Sequence, residues 1–265
     1  MMNGEVNDDL YSLDISRFEK FHSETKFITE RVTESLGDLY AMHWPYKQHK
    51  SSRNIKLLPF HNDLKKKGAC FGQVAGFERP MWYALNGKKP EYDYSYGYQN
   101  WYDAAKYETI NTRKNVGLFD LSAFAKFEIK GDCALNDLER LCCNSIKNNA
   151  GDTTYTQMLN SNGGIVADLT VNCVNKNTFR IITGSSVREH DKKHISENLS
   201  KSTTLIDITD SLACFGIFGP KSRDLLTEIF GEHFSKDKFK FGTAKEILFN
   251  SNKLIFQRLS FVGEL

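Results

Sequence analysis

The order of apolar and polar positions predicts a helical beginning followed by a long region of mixed strands and helices. Apolar residues recur at three- and four-residue spacing in Ile28, Val32, Leu36 and Leu39, which predicts one face of a helix that ends before Trp44-Pro45. Residues 84–99 are rich in Gly, Pro, Asp and Tyr. This connecting segment is too aromatic for a disordered linker, and we expect it to wrap a surface.

Regular elements are predicted beyond residue 100. Residues 124–130 alternate strictly, with Ala125, Phe127 and Ile129 on one face, which predicts a half-buried strand. The glycine turn at residues 161–164 predicts a hairpin. Further helices are predicted at 101–115, 132–144 (with Asp132 as N-cap), 187–199 and 220–231 (with Pro220 first and Gly231 as cap), and strands at 155–159, 165–174, 179–183, 204–208, 213–218, 245–249 and 254–261. The irregular alternation of strands and helices makes the predicted fold class α+β.

Composition narrows the possible partners. The 265 residues include 35 Lys and Arg against 33 Asp and Glu, so the net charge is only +2 and no nucleic-acid partner is expected. No apolar run reaches the roughly 18 residues that a transmembrane helix needs, so no membrane partner is expected either. The acidic N-terminus does not resemble a targeting peptide. The six cysteines form no CxxC pair, which predicts small buried thiols in a reducing compartment.

Several classes of active site have no sequence signature here. The GxGxxG, Walker, HExxH and GxSxG motifs are absent. His190 and His194 are spaced as a metal pair on one helix face, but no third ligand has suggestive spacing. We therefore interpret them, with Asp191 and Lys193, as an exposed helix face and predict no metal site.

Asp168 is the strongest chemical candidate, because it lies in an apolar strand just after the glycine turn. A carboxylate held out of water could accept a proton or stabilise a developing cation. The alternative is an exposed Asp on the polar face of the strand, and the pattern alone does not decide between the two. Asp120 raises the same question, but a turn Asp that bonds the backbone near Ser122 is the favoured interpretation there.

Residues 117–122 and 163–171 resemble the aminomethyltransferase (glycine cleavage T-protein) family. Residues 13–18 and 76–83 resemble the middle region of the dimethylglycine and sarcosine dehydrogenases, and residues 91–94, 155–160 and 258–265 look most like the sarcosine branch. The ordered match runs from about residue 10 to the end. It implies a central segment of FAD-dependent oxidoreductase type at residues 1–66 and a T-protein-like folate-binding domain at residues 67–265. Because Leu265 stands in an apparent strand, we expect the fold to be incomplete at the C-terminus and the chain to be a fragment.

The resemblance also implies a function. In that family a flavin domain oxidises an N-methyl amine, and the T-protein-like domain captures the carbon on tetrahydrofolate as methylenetetrahydrofolate. The family's catalytic aspartate matches Asp168. The implied cofactor-binding residues are Tyr155, Met158, Asn160, Asp168, Phe261 and Glu264. FAD is implied only in a dehydrogenase domain that this sequence lacks, so a separate flavin dehydrogenase chain is an expected partner beside folate and a small one-carbon donor.

Two alternatives remain within the same fold. One is a non-catalytic regulatory or scaffold protein, since the family includes a regulatory subunit of pyruvate dehydrogenase phosphatase. The other is a free-standing folate-dependent demethylase, against which the dehydrogenase-type segment argues. The resemblance implies the mitochondrial matrix in a eukaryote and the cytoplasm otherwise. We expect this chain alone to show no oxidase activity and to bind tetrahydrofolate weakly or not at all.

Overall fold

The computed structural model describes Leu10 and residues 13–260, and the chain divides into two compact units. One unit contains Phe18–Ala123 and Ala213–Ile217. The other contains Phe124–Leu212 together with the chain before Phe18 and after Ile217. No helix of the described part has the length and apolar character needed to cross a bilayer.

The first unit is built on a small three-stranded sheet in the order β1-β3-β2, in which β2 and β3 form an antiparallel hairpin. A second pair of strands, β4 and β10, forms a separate two-stranded sheet. The elements are α1 (Thr25–Asp38), β1 (Lys56–Leu57), α2 (His61–Lys66), β2 (Ala69–Val74), β3 (Phe77–Tyr83), α3 (Tyr102–Lys114), β4 (Gly117–Asp120) and β10 (Phe215–Phe218).

The second unit is built on a five-stranded antiparallel sheet in the order β6-β7-β8-β5-β9. A separate hairpin, β11–β12, follows it in the chain. The elements are β5 (Ala125–Gly131), α4 (Ala134–Leu141), β6 (Thr153–Leu159), β7 (Ile165–Asn175), β8 (Thr178–Thr183), α5 (Arg188–Glu197), β9 (Thr203–Asp207), α6 (Ser222–Phe230), β11 (Thr243–Phe249) and β12 (Asn252–Arg258).

The core of this unit lies on one face of the sheet. Ala125, Phe127 and Ile129 of β5 are fully buried, as their alternation predicts, and Leu138 of α4 packs into the same cluster. The opposite face is more covered than a half-buried strand implies, since Lys126 is only 2% exposed. Its Nζ donates to the carbonyl of Phe124 at 2.8 Å, which gives the buried ammonium group a hydrogen-bond acceptor.

Most predicted elements of this unit are confirmed, with shifts at their ends. Helix α4 begins after Cys133 rather than Asp132, and α6 begins at Ser222, two residues after Pro220. Gly231 ends α6 with φ of 77°, as a glycine cap requires. The cysteine prediction is wrong for Cys143, which is exposed, although all six cysteines are free thiols.

The predicted helix near the N-terminus exists, but its apolar face is open to solvent. In α1, Ile28, Val32 and Leu36 are 46%, 48% and 59% exposed. Polar contacts attach α1 to the loop before β1: Glu34 accepts hydrogen bonds from the backbone N–H groups of Lys50 and Ser51 at 2.7 and 2.8 Å. Thus α1 is held through its polar side and not through its apolar stripe.

A buried ion pair holds the small sheet to the loop before β1. Glu78 is 1% exposed, and its carboxylate accepts from Arg53 Nε and from the backbone N–H of Asn54, both at 2.8 Å, while Arg53 Nη2 bonds the second oxygen. Burial alone would raise the pKa of Glu78, but these hydrogen bonds and the Arg53 charge lower it below its usual value. The carboxylate is therefore fixed as an anion inside the unit.

The Phe127→Ala variant should be strongly destabilised. Phe127 is fully buried in the core cluster, so its removal leaves a cavity, and we expect the free energy of unfolding to fall by about 3–5 kcal/mol in urea denaturation. Phe241→Ala is the control, because this phenylalanine is 61% exposed. Similar losses in both variants would contradict the placement of the core.

Acid should weaken the attachment of α1. Burial raises the pKa of Glu34, but the hydrogen bonds from Lys50 and Ser51 outweigh it and lower the pKa from 4.5 to about 2. A depressed carboxylate pKa gives stability that is present above the unfolded-state value and is lost as pH falls through the folded-state value. Between pH 4.5 and 2, unfolding free energy should fall more steeply in the wild type than in Glu34→Gln. Glu228→Gln, an exposed carboxylate, should keep the wild-type slope.

Candidate functional site

The β6–β7 hairpin positions the candidate carboxylate. Asn160 closes the turn by donating its N–H to the Gly164 carbonyl at 2.9 Å, and its Oδ1 accepts from the N–H of Asn162 and of Gly164. Gly163 adopts φ of 80°, a conformation that glycine reaches without steric cost. The closed turn sets the strand register, in which Gln157 lies opposite Asp168.

A chain of hydrogen bonds ends on the Asp168 carboxylate. The hydroxyl of Tyr155 donates to Asp168 Oδ2 at 2.8 Å, and Gln157 Nε2 donates to the Tyr155 oxygen at 3.0 Å. Tyr155 and Gln157 share a face of β6 because they are two residues apart. The hydrogen bond to Asp168, followed by burial and by the Asp168 charge, raises the pKa of Tyr155. The phenol therefore stays protonated and orients the carboxylate.

Of the two interpretations of Asp168 that the sequence leaves open, the carboxylate held out of water is not the one that the structure shows. Asp168 is exposed, whereas its neighbours Ala167 and Leu169 are 5% and 2% exposed. Alternation along β7 sends these two apolar side chains to the core and Asp168 to the opposite face. The alternative interpretation of the sequence, an Asp on the polar face of its strand, is the one that the structure bears out.

The structure brings together only some of the residues that the resemblance implies for cofactor binding. Tyr155, 49% exposed, shares the surface of Asp168. Met158 points the other way and is fully buried in the core cluster, and the Oδ1 of Asn160 is engaged by its own turn. Phe261 and Glu264 lie outside the described residues. Gln157 was not singled out in the sequence, although its two-residue spacing from Tyr155 could have indicated it.

The other candidate groups have local roles. Asp120 Oδ1 accepts the N–H of Ser122 at 2.9 Å, which is the favoured turn interpretation, while its buried Oδ2 has no partner among the described residues. The prediction that Asp191 faces solvent is wrong. Asp191 is fully buried and contacts Thr183 Oγ1 at 2.5 Å and His190 Nδ1 at 2.9 Å. His190 thus pairs with a carboxylate on its own helix.

One group of possible metal ligands exists within residues 13–260: Glu34, Asp38 and His49, whose ligand atoms lie within 4.8 Å of one another. The ammonium group of Lys47 is 2.5 Å from Asp38 Oδ1, and Glu34 already accepts from the backbone. This side-chain cation and these N–H groups already provide the positive partners that a metal ion would supply. We therefore interpret the group as an internal polar network.

The groups around Asp168 can be tested against tetrahydrofolate, the cofactor that the resemblance implies. Among the described contacts, Asp168 Oδ1 accepts no hydrogen bond, so a carboxylate oxygen is available beside a phenol and an amide. This set fits the hydrogen-bonding edge of a reduced pteridine, which carries N–H donors. The fit is confined to an open surface. Two cavities, of about 470 and 430 Å³, lie among residues 45–105, and Asp168 is not among the residues that line them.

Comparison with known proteins places the chain in a family. Residues 60–265 match the GCVT N-terminal domain, and residues 3–57 match the FAD dependent oxidoreductase central domain. The chain belongs to the GCVT N-terminal domain family. The fold is also that of the glycine cleavage system aminomethyltransferase T from Bartonella henselae, with a TM-score of 0.57 and 20% identity over 72% of this chain and 47% of that one.

Curated relatives confirm the resemblance to amine dehydrogenases. Over the whole chain it is 36% identical to 4-methylaminobutanoate oxidase (formaldehyde-forming) of Paenarthrobacter nicotinovorans, and 30% identical both to mitochondrial dimethylglycine dehydrogenase of Rattus norvegicus and to human mitochondrial sarcosine dehydrogenase. The matches cover 32%, 31% and 33% of those proteins. The chain thus spans about a third of the length of these relatives.

Replacing the carboxylate should change the titration of the neighbouring phenol. In Asp168→Asn the hydrogen bond to an ionised carboxylate and the carboxylate charge, both of which raise the pKa of Tyr155, are lost, so that pKa should fall towards its ordinary value. NMR titration with ring-labelled tyrosine measures it, and Tyr155→Phe assigns the signal. Asp103→Asn, in the other unit, should leave this titration unchanged. An unshifted Tyr155 pKa in Asp168→Asn would show that the pair does not form in solution.

Proposed function

We propose that this chain is a one-carbon transfer module of an N-methyl amine dehydrogenase, in which Asp168 faces tetrahydrofolate. The observation that carries the proposal is the Tyr155–Asp168 hydrogen bond of 2.8 Å on the open face of the β6–β7 hairpin. Family membership supports it, as do relatives named for dimethylglycine, sarcosine and 4-methylaminobutanoate. The one-carbon donor is accordingly a small N-methylated amine.

Each residue has a distinct role in the proposed site. Bound tetrahydrofolate supplies the ring nitrogen that receives the one-carbon unit. Asp168 accepts a proton or stabilises cationic character near that nitrogen. Tyr155 fixes the orientation of the carboxylate through Oδ2 and leaves Oδ1 for the ligand, and Gln157 holds the phenol in place. Because Asp168 is exposed, a bound ligand must itself exclude the water that weakens these interactions.

The oxidation step belongs to a separate flavin site in this proposal. Residues 1–265 contain no dinucleotide-binding GxGxxG motif. We therefore assign FAD binding to a flavin dehydrogenase chain or segment other than these residues. This chain alone is then expected to show no oxidation of sarcosine. A mitochondrial location is proposed for a eukaryotic source, because the rat and human relatives are mitochondrial.

A second candidate is a regulatory or scaffold role. The chain is 28% identical, over 93% of its length, to the mitochondrial pyruvate dehydrogenase phosphatase regulatory subunit of Mus musculus, and the match covers 29% of that protein. The open position of Asp168 favours this candidate, since small-molecule sites usually enclose most of the ligand and an exposed carboxylate binds a small ligand only weakly.

Calorimetric titration with tetrahydrofolate separates the two candidates. We expect weak binding by the wild type, and at least tenfold weaker binding by Asp168→Ala, which corresponds to about 1.4 kcal/mol. Tyr155→Phe should weaken binding less, because it removes only the group that orients Asp168. Asp132→Ala, an exposed carboxylate at another position, is the control. Binding that ignores Asp168→Ala would sink the catalytic proposal, and absence of binding in all variants would favour the regulatory role.

A further inference from the structure

The segment of residues 92–102, the tyrosine-rich segment, has no part in the proposed folate site. It contains Tyr92, Tyr94, Tyr96, Tyr98, Trp101 and Tyr102. Its part from Tyr96 to Tyr102, together with Pro45 and Tyr46, lines a cavity of about 470 Å³ within one unit of the chain. Exposing this much aromatic surface is costly in water, so such surfaces commonly mark a binding site.

The rings stand at angles that form walls rather than a flat stack. Tyr46 and Trp101 are nearly perpendicular, at 84°, with centroids 6.3 Å apart, and Tyr98 meets Tyr102 at 47° and 4.6 Å. Tyr46, Tyr96 and Tyr98 are 75%, 67% and 82% exposed. The cavity therefore offers aromatic surfaces in several directions, on side chains that the protein does not bury.

None of the described residues that line this cavity carries a charged side chain. Among the described residues, Arg31, Lys56 and Lys245 make cation–π contacts with phenylalanine rings, for example Lys56 over Phe77 and Arg31 over Phe27. The tyrosine and tryptophan faces attract cations at least as well, yet none of the chain's described cations is placed over them. The surrounding stretch, residues 90–105, contains three acids and no Lys or Arg.

This combination selects one kind of cation. An ammonium group with N–H donors needs acceptors, and the described lining of the cavity includes no carboxylate. The Gln99 side-chain oxygen, an amide acceptor at this cavity, already accepts the N–H of Ser95 at 3.1 Å, which leaves the phenol oxygens as the neutral acceptors of the tyrosine side chains. A quaternary ammonium has no N–H group and interacts with aromatic faces through its charge. It therefore gives up no hydrogen bonds to water when it enters the cavity.

We propose that Tyr46, Tyr98, Trp101 and Tyr102 form an aromatic cage that binds a quaternary ammonium group of a small molecule. The cage and Asp168 belong to different units of the chain, and the test of the cage does not depend on folate. Binding is driven by the positive charge facing the rings, with apolar burial of the methyl groups as a smaller contribution.

Choline and two analogues test the charge and the methyl groups separately. The neutral carbon isostere of choline, with a tert-butyl group in place of trimethylammonium, keeps the shape without the charge. Ethanolamine keeps the charge but has N–H groups. At constant ionic strength, calorimetry with the full chain should show choline binding in the millimolar range, and both analogues at least tenfold weaker.

Matched variants locate the site. Tyr98→Leu removes an aromatic face and should weaken choline binding severalfold, whereas Tyr98→Phe keeps the face and should bind choline within about twofold of the wild type. Tyr98 is largely exposed, so both variants should fold, as circular dichroism would verify. Tyr107→Leu, an exposed tyrosine on α3 that does not line the cavity, should leave binding unchanged.

Three results would overturn the proposal. Equal binding of choline and its neutral isostere would reveal an apolar groove without preference for charge. Equal or tighter binding of ethanolamine would show that hydrogen-bonding ammonium groups are the ligands. Absence of choline binding at tens of millimolar would show that the aromatic surface serves another purpose, such as contact with a protein.

Discussion

Backbone pairing of β5 with β8 on one side and β9 on the other determines which side chains of the second unit face the core and which face away from it. Side chains alternate between the two faces of a strand, so burial of Phe127 and Ile129 commits their neighbours to the other face. The same rule acts on β7, where burial of Ala167 and Leu169 places Asp168 outside. A slip of one residue in this register would put the carboxylate in the core and the apolar side chains in water.

Alternation and turn chemistry are local, so they could be predicted from the sequence. The strands around Phe127 and Val171, the hairpin at Gly163 and the cap at Gly231 are of this kind. The hairpin of β2 and β3 was missed, since Gly72 and Pro80 weaken a strand pattern. Its pairing depends on residues that lie side by side only after folding.

The burial of charged groups could not be predicted, because it depends on partners far away in the chain. Glu78 resembles any surface glutamate in the sequence, yet Arg53 and the Asn54 backbone make it a buried anion. Asp191 is also buried, although its partner Thr183 lies only eight residues before it, at the end of β8. At Asp168 the sequence left two interpretations open, and the choice rested on which strand face the rest of the unit covers. The family resemblance implies a catalytic role for Asp168 but says nothing of its exposure.

The strand order of the large sheet has a consequence for folding of the chain during its synthesis on the ribosome. Residues 125–131 emerge before either of their hydrogen-bonding partners, at residues 178–183 and 203–207, has been synthesised. During that interval Phe127 and Ile129 have no sheet to enter, and a growing chain with unpaired apolar strands can associate with others. Helix α4 follows β5 directly in the chain and carries Leu138, which packs in the same cluster. It is therefore the first later element of this unit that can cover Phe127 and Ile129.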